Sequence, residues 1–126
     1  MKYLVSILLV GTGGFIGSAA RYAASGAVHR LIPGFSFPWG TVFVNVLGCF
    51  LIGLVATLVQ SRQLLTPETR LLVMIGVLGG FTTFSTFGYE TFALLRDGEP
   101  LRAFANVAIQ LIVGLGAVWL GFSLAR

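Results

Sequence analysis

The residues Gly79 to Phe87, Gly-Gly-Phe-Thr-Thr-Phe-Ser-Thr-Phe, put two glycines, four hydroxyls and three aromatic rings into nine consecutive positions. Phe81, Phe84 and Phe87 recur every third residue between the hydroxyls. A ring edge carries positive partial charge, so such a run can face a small anion that Ser and Thr O–H groups also contact. Thr83, Thr86, Phe87 and Glu90 stand at helical offsets of zero, three, four and seven and therefore share one face of a helix. Asn45 adds an amide donor from another segment, with Thr41 one turn earlier on the same face. Arg21 is the one cation well inside an apolar stretch. Together these residues describe an anion path of uncharged donors with an arginine near its entrance. The glycine pair and hydroxyls also make a poor lipid-facing helix, and a break there would free backbone carbonyls able to hold a cation.

The elements that position these groups follow from composition. The chain has 126 residues, 56% of them hydrophobic and 10% charged, with a mean hydropathy of +0.95. That leaves too few polar side chains to cover a soluble globule, so an integral membrane protein is expected. At roughly 20 apolar residues per spanning helix, four spans use most of the chain. They are expected at about 4–32, 41–59, 70–95 and 102–125, as a single four-helix transmembrane domain over residues 1–126. Pro33-Gly34 ends the first span, Pro38-Trp39-Gly40 leads into the second, and Asp97-Gly98-Glu99-Pro100 joins the third to the fourth. Thr66-Pro67-Glu68 is a helix start, with a hydroxyl N-cap, proline at the first helical position and an acid in the first turn. The midpoint of the third span falls near Thr83, which puts the expected break near the bilayer midplane. Small residues spaced four apart, Gly13/Gly17 and Gly76/Gly80, allow close helix approach. The start of the chain, with Lys2, an apolar run and Ser18-Ala19-Ala20, can be read as a signal peptide. Cleavage there would halve the first span, so a retained helix is the expectation.

Charge bears on orientation. Lys2, Arg62, Arg70 and Arg126 lie towards one side of a four-span bundle, and Arg21, Arg30, Arg96 and Arg102 towards the other. Because the Lys/Arg bias sets insertion direction, a four-against-four balance predicts insertion both ways and pairing as an antiparallel homodimer. Glu90 is the one acid within a span, where an ionisable group points to function or to a structural hydrogen bond. Cys49, the single cysteine, reads as a small packing residue, and His29 as a solvated interfacial side chain with no assigned role. No Ser/His/Asp or Cys/His set, HExxH or Walker-type loop is present, so no enzyme is expected. Nothing suggests nucleic-acid binding. The competing function is a proton-coupled exporter of small solutes, of multidrug type, using Glu90 as its titrating acid.

In these residues the chain resembles the small bacterial fluoride channels of the Fluc/CrcB family. The matching pieces are Gly13-Gly14-Phe15-Ile16-Gly17-Ser18-Ala19-Ala20-Arg21-Tyr22, then Trp39-Gly40-Thr41 leading to Asn45, then Gly79 to Phe87 with Glu90. The resemblance implies an all-α membrane protein of four transmembrane helices with the third broken, built as a dual-topology antiparallel homodimer with two pores. It implies a multi-pass location in the cell (inner) membrane and passive fluoride export that relieves fluoride toxicity. It further implies that Phe84 and Phe87 line the fluoride path with Asn45 as donor beside them. Ser85 and Thr86 would belong to a polar track, Thr41 and Glu90 would lie along it, and Arg21 would stand in the vestibule. A structural sodium ion at the dimer centre would be held by the main-chain carbonyls of Gly79 and Thr82. Gly88-Tyr89 stands before Glu90 where the family more often has a small pair, and Asn106 and Gln110 stand where hydroxyls often line the pore. Fluoride is small and strongly hydrated, so a pore must replace its water with close donors, yet a fixed cation at the narrowest point would hold it too tightly. Hydroxyls, an amide and ring edges are ligands of intermediate strength.

Overall fold

The computed structural model describes residues 1–34 and 36–126. Helix α1 (Lys2–Leu31) is followed by α2 (Trp39–Arg62), α3 (67–81), α4 (Phe84–Arg96) and α5 (Pro100–Ala125). Helices α3 and α4 lie end to end as two halves of one rod, so among the described residues four stretches are long and apolar enough to cross a membrane. Ile32 ends α1, and the chain turns at Gly34, whose φ of +85° suits a residue without Cβ. The Thr66 side chain accepts the Thr69 N–H at 3.2 Å, capping α3 with Pro67 in its first turn. That rod therefore begins at Pro67 rather than near Arg70.

Within α3, Leu71–Leu78 is wound as a π-helix between short α-helical turns at Pro67–Arg70 and Gly79–Phe81. Wider winding of this kind is rare, and where it occurs it is frequently at functional sites. The plain apolar run Leu-Leu-Val-Met-Ile-Gly-Val-Leu carries no signal of it.

Two helix pairs make the bundle: α1 packs on α3, and α2 packs on α5. Lipid tails are as apolar as leucine, so helices associate in a membrane largely by close packing over small residues. On α1, a Cβ at Gly13 would overlap the Leu72 carbonyl oxygen, and one at Gly17 the Val77 carbonyl oxygen. From the other side, Gly76 faces Gly13 and Gly80 faces Gly14. Between α2 and α5, Gly53 lies against Val118 and Gly121 against Phe50. The obstacles at Gly13, Gly17, Gly53 and Gly121 are backbone, which cannot swing aside. Gly17→Val should therefore separate α1 from α3, leaving little monodisperse protein on size-exclusion chromatography in detergent. Gly11→Val, at a glycine with open space around it, should purify like the parent.

The outer surface is apolar, as lipid contact requires: Phe15 is 77% exposed and Ile112 72%. The inside holds polar groups, with Thr41, Thr57 and Asn106 all buried. At one end of the bundle Arg102 donates to Ser36 Oγ and pairs with Glu99 at 2.9 Å, joining the two connections on that side. Arg21 does not lie at that end. Its Nη1 reaches the Thr82 carbonyl at 3.4 Å, inside the bundle.

Candidate functional site

The rod of α3 and α4 is interrupted at Thr82 and Thr83, whose backbone is extended (φ −88°, ψ 160° and φ −151°, ψ 119°). Gly80 sits so close to Gly14 of α1 that a Cβ would lie 2.7 Å from the Gly14 carbonyl oxygen. Thr82 still donates back to Leu78, through its N–H at 3.2 Å and its hydroxyl at 3.1 Å. Thr83 then caps α4, its Oγ1 accepting the Thr86 N–H at 3.2 Å. At membrane depth the backbone groups freed by such a break need partners inside the protein. Asn45 of α2 supplies two: Oδ1 accepts the Thr83 N–H at 2.8 Å, and Nδ2 donates to the Thr83 carbonyl at 3.0 Å. Among the described residues, the Gly79 carbonyl accepts no backbone N–H from beyond the break.

Asn45 also begins a chain of amides. Its Nδ2 donates to Gln110 Oε1 at 2.7 Å, Gln110 Nε2 donates to Asn106 Oδ1 at 2.9 Å, and Asn106 Nδ2 donates to Thr91 Oγ1 at 2.9 Å. The Thr91 hydroxyl closes the chain on the Phe87 carbonyl at 2.8 Å. Each link donates in one direction, from the Thr83 N–H to a carbonyl of the same helix. The chain ties α2, α4 and α5 together through Asn106, which is 0% exposed. Buried amides satisfied at every atom rigidify a site, whereas a gap in such a network is expensive.

Two cavities meet at Thr83. One, of about 420 Å³, is lined by Asn45, Gly79, Thr82, Phe84, Phe87 and Gln110 as well as Thr83. The Phe84 and Phe87 rings stand 5.6 Å apart at 52°, and Phe84 is 82% exposed on its open side. The other, of about 590 Å³, is lined by Arg21, Ser18, Ser25, Thr41 and Thr86 in addition to Thr83. From this cavity's wall Thr41 Oγ1 donates to Glu90 Oε1 at 2.9 Å, while Glu90 Oε2 is buried with no partner among the described residues.

The residues singled out from the sequence thus fall into two groups. Asn45, Phe84, Phe87, Gly79 and Thr82 share the first cavity; Thr41, Thr86 and Arg21 share the second, with Glu90 attached through Thr41. Ser85 is exposed and lines neither, its Oγ lying 3.5 Å from Thr83 Oγ1. The face expected to carry Thr83, Thr86, Phe87 and Glu90 together is divided between the cavities, because Thr83 stands outside the helix in extended backbone and the adjacent Thr86 and Phe87 point about 100° apart. The amide chain was the part that sequence reasoning missed. Asn106 and Gln110 were visible as amides four apart in an apolar helix, but their connection to Thr91 and Asn45 needs the packing of three helices.

A family model described as CrcB-like protein, Camphor Resistance (CrcB), matches residues 8–122. Among similar proteins, one from Chlorobaculum tepidum named fluoride-specific ion channel FluC is 51% identical over 96% of this chain and 94% of its own length. Proteins of the same name from Geobacter sulfurreducens and Methylobacillus flagellatus are 47% and 44% identical. Each of those two alignments covers 98% of this chain, with 98% and 96% of the relative respectively. Matched from α1 into the last turns of α5, the chain belongs to the CrcB family.

Proposed function

We propose that this chain forms a fluoride-selective passive channel of the cell membrane, built as an antiparallel dual-topology homodimer with two pores and a central structural sodium ion. The observation that carries the reading is close similarity over nearly the whole chain to proteins named fluoride-specific ion channels. The geometry supports it. The polar groups lining the first cavity are amides and hydroxyls beside ring edges, with no lysine or arginine head among them, so a small anion can be held there and still leave.

In this reading Arg21 draws the anion into the vestibule formed by the second cavity, and Thr41, Ser85, Thr86 and Glu90 flank a polar track. Asn45 offers its amide beside the edges of Phe84 and Phe87. Water is stripped as the ion passes between the rings, and the driving force is the electrochemical gradient. Fluoride entering as neutral HF and dissociating inside would leave by this route without ATP.

Pairing of two copies has its own support. A cavity bearing Gln110 and Thr83 would be costly if left open to lipid, and a second copy would close it. With Arg21 inside the bundle, the ends carry four basic residues against three, a difference too small to impose one orientation. The Gly79 and Thr82 carbonyls fit sodium, a hard cation that prefers oxygen. The break removes the helical partner of the first, and the second has a single long contact with Arg21. Sodium there would supply charge between the two broken helices.

The test is ion release from proteoliposomes under a potential set by a potassium ionophore. Rapid fluoride release with no chloride release is expected, and it should persist in Glu90→Gln. The unpartnered Glu90 Oε2 favours the rival reading, a proton-coupled exporter. Absence of fluoride release from well-incorporated protein, with proton-coupled transport lost in Glu90→Gln, would establish that rival instead.

A further inference from the structure

Both hydrogens of the Asn45 amide are already in use. One goes to the Thr83 carbonyl and the other to Gln110 Oε1, at 3.0 and 2.7 Å. Asn45 cannot turn over to present something else, because the Thr83 N–H requires its Oδ1 at 2.8 Å. An anion arriving between Asn45 and the Phe84 and Phe87 rings therefore finds no free hydrogen on the Asn45 amide. The Thr83 bond holds the helix break in shape. The bond to Gln110 joins two side chains, and Gln110 lines the same cavity as the rings.

We propose that Gln110 Oε1 stands in the anion's place at Asn45 Nδ2, and that fluoride enters the site by displacing it. Gln110 then sets how tightly the pore holds the ion. The inference rests on the channel reading above and concerns a residue on which that reading does not depend.

An amide oxygen is a compact acceptor, partially negative, and here it sits 2.7 Å from the donor nitrogen. Fluoride is a compact acceptor of similar reach. Chloride is larger, and would need α5 or the Thr83 segment to move before it could take the same donor. The stand-in thus keeps the site closed to water and shaped for a small ion.

Displacement is eased by the far end of the amide chain. If Gln110 turns its amide so that Oε1 faces Asn106, Asn45 Nδ2 is left to the incoming ion. Asn106 can turn likewise, because its partner Thr91 Oγ1 is a hydroxyl, able to donate as well as accept. Thr91 would then give up its bond to the Phe87 carbonyl, a group within the regular helix α4. The chain that donates towards Phe87 at rest would donate away from it, from Thr91 to Asn106 to Gln110, when the ion is bound.

Two measurements on the full-length protein in detergent test this. In the first, wild-type protein with labelled side-chain amides is titrated with potassium fluoride, with potassium chloride as control. The Asn45 and Gln110 amide resonances should move together with one midpoint under fluoride only. Movement of Asn45 with Gln110 unmoved would overturn the proposal. In the second, Gln110→Met keeps the length of the side chain and removes the competing acceptor. A net hydrogen bond of ordinary strength predicts a fluoride midpoint roughly three- to tenfold lower, with the maximal flux in liposomes held back by slower exit. An unchanged or raised midpoint in monodisperse protein would overturn the proposal, and Gln110→Ser is judged by the same criterion where the Met variant does not fold. Failure of wild-type protein to carry fluoride in liposomes is a separate outcome, which removes the channel reading and this inference with it.

Discussion

Changing both Phe84 and Phe87 to isoleucine should lower fluoride release from proteoliposomes by about a hundredfold or more, equivalent to ~2.7 kcal/mol on the barrier. Isoleucine retains much of the apolar bulk, so α4 should still seat against the bundle, and the substituted protein should run as one species on size exclusion. What disappears is the positive ring edge. A fluoride ion that has shed its water then meets methyl groups, which offer nothing in exchange for hydration. The rings are tilted at 52° with centroids 5.6 Å apart, an arrangement that leaves edges available rather than stacking both faces. The single changes should separate the two positions. Phe84 is 82% exposed at the open side of its cavity, whereas Phe87 is partly covered. Phe84→Ile should therefore act chiefly through the surface presented to a partner copy, and Phe87→Ile through the path beside Asn45. Fluoride release unchanged in the double variant would remove the rings from the path.

The part of this site that the sequence made legible is the part confined to one segment. Paired glycines followed by four hydroxyls cannot behave as an ordinary lipid-facing helix, and the backbone does leave the helix at Thr82 and Thr83. Glycines spaced at one helical turn announced close packing, and Gly13 and Gly17 do meet the backbone of α3. Thr66-Pro67-Glu68 announced a helix start because capping is local chemistry. The π-wound stretch was invisible, since Leu71–Leu78 contains nothing but ordinary apolar side chains and one glycine. So was the use of Asn45. Its amide looked like a free donor for an anion, yet the extended backbone at Thr83 demands two hydrogen bonds that only a side chain from α2 supplies. Sequence periodicity reports which face of a helix a residue occupies, and it is silent on what that face meets. Thr86 and Phe87 illustrate the same limit, being neighbours in sequence that line different cavities.

Asn45→Leu should be the most damaging single change in the site, because it removes three hydrogen bonds while filling nearly the same volume. The Thr83 N–H, the Thr83 carbonyl and Gln110 Oε1 all lose their partner. Each buried polar group left unsatisfied costs about 1–3 kcal/mol, and water is scarce at this depth to replace the lost bonds. The extended pair Thr82-Thr83 should no longer be held, so α4 should shift relative to α3 and fluoride release should fall to the background of empty liposomes. Stability should fall by roughly 3 kcal/mol or more, read as a lower midpoint for unfolding in a denaturing detergent. A double-mutant cycle with Gln110→Met isolates one of the three bonds. In the parent, Gln110→Met deprives Asn45 Nδ2 of an acceptor and Asn106 Oδ1 of a donor. In the Asn45→Leu background the first loss has already occurred, so the same substitution should cost less by about 1 kcal/mol, within the range for directly bonded pairs. Additivity within about 0.3 kcal/mol would mean that the two amides do not share a bond. The ladder from Thr83 to Phe87 would then be broken between Asn45 and Gln110, and the capacity of Gln110 to compete for the anion's donor would go with it.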